Sequence, residues 1–146
     1  MRQPAMNPSE PCDVLIVGGA AMGSAAAYFL ASAPGFTGRV RVLEQDFGYQ
    51  RCATTLSVAS IRHQFSTPGN IAMSQFGTDF LRHLPEHLSV DGETPDVGFH
   101  EGGYLFLATA AGEAVLRENH ATQRQMGADV ALLGPDELAR RFPWLH

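Results

Sequence analysis

The chain has 146 residues, is 45% hydrophobic and 17% charged, and carries a formal net charge of −5. That length makes one ordinary domain able to fold without disulfide or metal staples, and the composition excludes collagen, coiled coil and disorder. The acidic balance argues against nucleic acid or an anionic membrane as partner. All ten basic residues are Arg, so no lysine is present to form a Schiff base.

Residues 1–11 hold three Pro and are expected to be a disordered tail. Asp13 to Val17 is β-branched and apolar, as in a buried strand. Met22 to Ser32 is Ala-rich and expected to be a helix, closed by Pro34-Gly35. Arg39 to Leu43 is a second short strand. The three form one parallel βαβ unit of about thirty residues with a right-handed crossover. The uncharged run VLIVGGAAMGSAAAYFLASA over 14–33 imitates a membrane span, and Gly19 and Gly23 form GxxxG. Its flank carries Glu10 and Asp13 with only Arg2 as a basic residue, and the run breaks at Gly-Gly, so strand–turn–helix is the better reading and no membrane span is expected.

Residues 45–68 read as loop. Asn70 to His87 reads as a helix with Ile71, Met73, Phe76, Phe80 and Leu84 on or near one face. A polar turn at 88–96 precedes a β-hairpin of 97–100 and 104–108 around Glu101-Gly102-Gly103. Thr109 is the expected N-cap of a helix running to Met126, with Gly127 as its stop. Asp129 to Leu133 reads as a strand, and Gly134-Pro135 opens a short final helix. Phe142-Pro143-Trp144 ends the chain without cap or tail, and a doubly wound sheet needs at least one more parallel strand. The sequence therefore reads as the front part of something longer, whose missing C-terminal half is its first partner.

Cys12 and Cys52 make no disulfide framework. His83 and His87 are four apart, but no Glu follows His83 as an HExxH zinc site requires, so they read as a solvated helix face and no metal site is expected. A cytoplasmic location is expected.

The strongest chemical feature is Gly18-Gly19-Ala20-Ala21-Met22-Gly23, after a strand and opening a helix, with Glu44 closing the next strand about 20 residues on. In a dinucleotide site the first Gly makes the tight turn, the second admits the pyrophosphate, and the third lets helix and strand pack closely. The helix N-terminus offers unpaired N–H groups to the phosphates, and the acid takes the ribose hydroxyls. Ala20 stands at the second Gly position and puts a methyl group where the pyrophosphate approaches. A βαβ unit whose glycines serve packing alone is the bland alternative.

RCATTLSVASIRHQF over 51–65, GYLFLA over 103–108 and LLGPDELARRFPWL over 132–145 resemble, in order, three landmarks of the D-amino-acid oxidase family of FAD enzymes. That family includes sarcosine, dimethylglycine and glycine oxidases and dehydrogenases; within it, the chain looks most similar to the FAD-dependent oxidoreductase domain-containing proteins. The resemblance implies an α/β fold: a Rossmann-like FAD-binding βαβ unit in the N-terminal part of an FAD-binding domain over 12–90, then the beginning of an α+β substrate domain over 91–146, left incomplete. It implies FAD as cofactor, with Gly18, Ala20, Ala21, Met22 and Gly23 at the diphosphate, Glu44 and Gln45 at the ribose, and Thr54 and Thr55 as cofactor-side hydroxyls. Ala59, Ser60 and Ile61 match the backbone that passes the flavin ring. Some relatives attach FAD through a His where Ser57 stands here, so noncovalent FAD is implied.

Arg62 matches an Arg that reaches the substrate carboxylate in some relatives, a task suited to its planar fork; a surface Arg paired with a helix acid is the alternative. His63 is either a pocket residue or a satisfied structural His. The implied reaction is oxidation of the C–N bond of a small amine or amino acid, with hydride transfer to flavin N5 and hydrolysis of the imine product. No catalytic nucleophile or triad is expected; Glu101 and Tyr104 can be nominated as acid or base, but a hairpin turn explains both. Two other readings stay open: an NAD-dependent Rossmann dehydrogenase, and a non-catalytic flavoprotein acting as an assembly or interaction factor.

Overall fold

A computed structural model describes residues 11–145. The tail expected over 1–11 lies, apart from Pro11, outside the described residues. The chain divides into two compact units, with the division along the sequence between Ser60 and Ile61.

The first unit is the βαβ element. Strand β1 (Val14–Val17) pairs in parallel with β2 (Val40–Leu43), with Val14 opposite Val40 and Val17 opposite Leu43. The Asp13 carboxylate accepts the Arg39 N–H at 2.7 Å, and the Arg39 carbonyl accepts the N–H groups of Asp13 and Val14. These bonds set the register at the start of both strands. Helix α1 (Ala21–Ala31) crosses between the strands and packs on both. Its Ala-rich sequence favours helix and keeps its surface smooth enough to lie close to the sheet. Gly35, at φ +82, turns the chain toward β2 in a conformation that only glycine adopts freely.

The expected burial of β1 is corrected: Leu15 is 51% exposed and Val17 81% exposed, while Val14 and Ile16 are half-buried. Parallel strands are buried when helices cover both faces of the sheet. In this unit one helix packs on a sheet of two strands, so one face is open.

The second unit is helical. Helix α2 (Pro68–Arg82) begins two residues before the expected start, with Thr67 as N-cap and Pro in its first turn. The expected single helix over 70–87 is two helices, α2 and α3 (Leu84–Leu88), broken at His83. Pro85 is the reason: it has no N–H to bond back to Leu81, and its ring crowds that carbonyl. Ile71 is fully buried, and Leu84, Thr78 and Ala128 are nearly so. The helix expected from Thr109 is a 3₁₀ turn, Ala110–Gly112, followed by α4 (Glu113–Gln125). Gly127, at φ +75, stops α4 as expected. The last helix, α5 (Pro135–Arg141), stands where Gly134-Pro135 places it.

The expected hairpin is absent: neither 97–100 nor 104–108 is a strand, and the one isolated bridge nearby joins Val90 and Glu93. Gly98 at φ +61 and Gly103 at φ +81 bend the chain out of the extended region. Side chains satisfy the backbone instead: Asp96 accepts the Gly98 N–H at 2.8 Å, and the Tyr104 carbonyl accepts from Gln64 at 2.8 Å. A lone two-stranded hairpin is marginal in water, and no third strand is present among the described residues to hold it. The expected strand over 129–133 forms no ladder for the same reason. The parallel βαβ unit makes the chain α/β, but the described residues after Ser60 contain helices and no strand.

Candidate cofactor-binding site

The site is built on the turn between β1 and α1. Gly18 has φ +98, a left-handed conformation that makes the tight turn, and its N–H bonds the Leu43 carbonyl at 2.7 Å. Gly23 lies in the first turn of α1. A Cβ there would fall 1.8 Å from the Gly18 carbonyl oxygen and 3.2 Å from Ile16 Cγ2. Only a glycine lets the helix approach the strand this closely. Ala20 is the N-cap in extended backbone, φ −68, which alanine adopts without strain. The first turn of α1 carries no acidic residue, so its positive end is not neutralised by a side chain.

Glu44 follows β2 and reaches back to the turn. One carboxylate oxygen accepts the Gly19 N–H at 2.7 Å and the other accepts the Asp46 N–H at 2.8 Å. These donors, Gly19 foremost, hold the carboxyl below its ordinary value and keep it ionised. Each oxygen keeps a lone pair for a further donor such as a sugar hydroxyl.

A cleft of about 250 Å³ opens beside the turn, lined by Gly19, Ala20, Ala21, Ser24, Tyr49, Cys52, Thr54 and Thr55. The structure therefore gathers Ala20, Ala21, Thr54 and Thr55 around one space, with Gly18, Gly23 and Glu44 shaping the turn behind it. Met22 is 86% exposed and does not line the cleft, and neither does Gln45. Ala59, at φ +48, and Ser60 are exposed at the end of the first unit and stand outside the cleft. Ile61 and Arg62 belong to the second unit.

Tyr49, Cys52 and Ser24 line the cleft and were not legible as site residues. They lie in turns and on a helix face without a motif, and only folding brings them to the glycines. Ser24 donates to the Gly19 carbonyl. Cys52 shares a hydrogen bond with the Thr55 hydroxyl at 3.1 Å and accepts the Thr55 N–H at 3.4 Å, contacts that lower its thiol pKa.

In the second unit the Arg62 guanidinium stacks on two rings, 4.8 Å from the Phe65 centroid and 5.2 Å from that of Phe106. It has no carboxylate partner among the described residues, contrary to the alternative of a helix ion pair. His63 bonds the nearly buried Thr78 hydroxyl at 2.9 Å, a satisfied structural role. Glu101 pairs with Arg82, and that guanidinium holds its carboxyl below the ordinary range. The ion pair, not a hairpin turn, occupies Glu101. Tyr104 stacks on Phe106 with 5.6 Å between centroids.

Strand, glycine turn, helix and a carboxylate closing the next strand define a dinucleotide-binding βαβ unit. The sequence signature of the FAD dependent oxidoreductase (DAO) family matches residues 13–146, and the chain belongs to that family. It is 46% identical over 142 residues to FAD-dependent oxidoreductase domain-containing protein 1 of Xenopus laevis, covering 95% of this chain and 28% of that relative. The Bos taurus protein of the same name is 44% identical, with 95% of this chain and 29% of the relative covered. The Drosophila melanogaster homolog is 41% identical over 92% of this chain and 26% of its own length. The chain thus spans less than a third of these relatives. No solved structure matches it.

Family membership implies FAD, and the turn fits the group. Gly18 makes the tight turn at φ +98, Gly23 lets α1 pack against that turn, and the cleft opens at the N-terminus of α1, whose first turn carries no acidic residue. No helix among the described residues is long and apolar enough to cross a membrane, and these residues hold no metal-ligating cluster.

Proposed function

We propose that the full-length protein is an FAD-dependent oxidoreductase acting on the C–N bond of an amine or amino acid, with FAD held noncovalently. The observation that carries this reading is the glycine turn tied to Glu44 beside an open cleft. Bound FAD supplies the two-electron acceptor for a C–H bond next to nitrogen. The chain's own residues bind and orient. The N–H groups of Ala21, Met22 and Gly23 lack intrahelical acceptors and receive the diphosphate with Ala20. Glu44, with Gln45 beside it, takes the ribose. Thr54 and Thr55 border the same space, and Ala59, Ser60 and Ile61 pass the ring. Ser57 offers no imidazole for a covalent link; its hydroxyl bonds the Thr54 carbonyl at 2.8 Å.

Arg62 is assigned to the substrate carboxylate. A guanidinium stacked on two rings keeps its in-plane donors, and a half-buried one without an anion favours an anionic ligand. Residues 12–90 belong to the FAD-binding domain in this reading, and 91–146 open the substrate domain, whose sheet forms only with further sequence. Acid precipitation of the full-length protein tests the cofactor. Free FAD in the supernatant is expected. Flavin retained in the pellet refutes noncovalent binding, and tight NAD binding without flavin refutes the FAD reading.

A further inference from the structure

We propose that Tyr49 is a further cofactor-binding residue, whose hydroxyl donates to a phosphate oxygen of the dinucleotide at the N-terminus of α1; this rests on reading the cleft as the FAD site. The backbone gives the first reason. Tyr49 has φ +54, a left-handed conformation unfavourable for any residue with a Cβ. Its turn is built by Asp46, whose carbonyl accepts the Tyr49 N–H at 2.9 Å and whose carboxylate accepts the Gly48 N–H at 2.9 Å. Glycine or asparagine would close this turn with less strain. The turn itself therefore gives no reason for an aromatic ring, and strained residues of this kind concentrate at ligand sites.

The side chain gives the second reason. The turn carries the ring back over the glycine loop, where a Cβ placed on Gly19 would lie 3.1 Å from the Tyr49 hydroxyl oxygen. Gly19 occupies a position that the dinucleotide pattern leaves open to any residue. Here the phenol occupies the room a side chain would take.

Hydrogen-bond accounting gives the third. The cleft lining contains no cation, so neutral donors must meet the charge of a diphosphate. Among its hydroxyl residues, Ser24 is committed to the Gly19 carbonyl, and Thr54 and Thr55 face the Cys52 sulfur. Of these, only the side-chain hydroxyl of Tyr49 has no hydrogen-bond partner among the described residues. A phenol O–H directed at an anionic oxygen forms a charge-assisted bond.

Tyr49→Phe in the full-length apoprotein tests this, with ADP, FAD and adenosine titrated by calorimetry and apoprotein melting measured alongside. ADP and FAD affinity should fall about tenfold while adenosine affinity and melting temperature stay unchanged. Equal loss for adenosine, or a lowered melting temperature that accounts for the loss, assigns Tyr49 to packing and overturns the proposal. Wild-type affinity for ADP and FAD in Tyr49→Phe also overturns it while leaving the FAD reading intact. A wild-type protein that binds neither ligand refutes both. Gly19→Ala supplies the second arm: it should weaken ADP binding in the wild type but much less in the Tyr49→Phe background, and equal effects in both count against the proposal.

Discussion

The Glu44 carboxylate accepts the backbone N–H of Gly19 at 2.7 Å, tying the end of β2 to the turn that follows β1. One acid therefore serves two tasks. It holds the glycine loop in shape, and in the proposed function it receives the ribose. Both N–H donors favour the ionised carboxylate, so protonation of Glu44 weakens this tie.

The first prediction follows from that dependence. The Gly19 and Asp46 N–H groups lower the folded pKa of Glu44 below its unfolded value. The resulting stability is complete above the unfolded value and is lost as pH falls through the folded one. Urea denaturation of wild type and Glu44→Gln, from neutral pH into the acid range, should show a gap that is largest at neutral pH and closes in acid. A gap that widens in acid contradicts the assignment. Glu44→Ala should also weaken FAD binding about tenfold or more, as the loss of a charged hydrogen-bond partner does.

The glycine turn separates packing from binding. Gly23→Ala forces a methyl group toward the Gly18 carbonyl and should destabilise the protein by about 1–3 kcal/mol, as overpacking does. Ala20→Gly relieves no strain but opens the cleft wall, so stability should change little and FAD affinity should hold or rise. Loss of FAD binding in Ala20→Gly would mean that the diphosphate sits elsewhere.

Arg62 is a test of substrate chemistry. Arg62→Lys keeps the charge and loses both the fork and the flat surface stacked on Phe65 and Phe106. The KM for an N-methyl amino acid should rise severalfold or more, with flavin content unchanged. Lost flavin at constant KM would assign Arg62 to the cofactor or to the fold.

Expressed alone, residues 1–146 should bind FAD weakly, self-associate and show no amine-dependent flavin reduction. Leu15, Val17 and Phe47 are more than half exposed in the first unit, as are Met73 and Phe76 in the second. The strands of β1–β2 also leave open edges that invite pairing. Mass in solution and anaerobic mixing with FAD and N-methyl amino acids check this. A stable monomer that bleaches flavin would refute it.

The βαβ unit was legible within a residue at its boundaries because its signals are local. Val and Ile favour β1, alanines favour α1, and Gly18 and Gly23 mark the turn between them. Gly127 and Pro135 were legible for the same reason. The break at His83 was within reach of the sequence through Pro85, but the apolar spacing from Ile71 to Leu84 runs straight across it. The hairpin over 97–108 was misread because its alternation says what a strand needs, not whether a partner strand is present.

By itself the sequence determined the glycine turn, the acid after β2 and the family, since each is written in residue type and spacing along a short stretch. Tertiary structure decided how they are used. It set Gly23 against the Gly18 carbonyl, bent Glu44 back to Gly19, brought Tyr49 and Cys52 to the cleft, and stacked Arg62 on Phe65 and Phe106. The physical reason is that hydrogen bonds and ring contacts act over a few ångströms between groups far apart in the chain, so their geometry exists only once the backbone has folded.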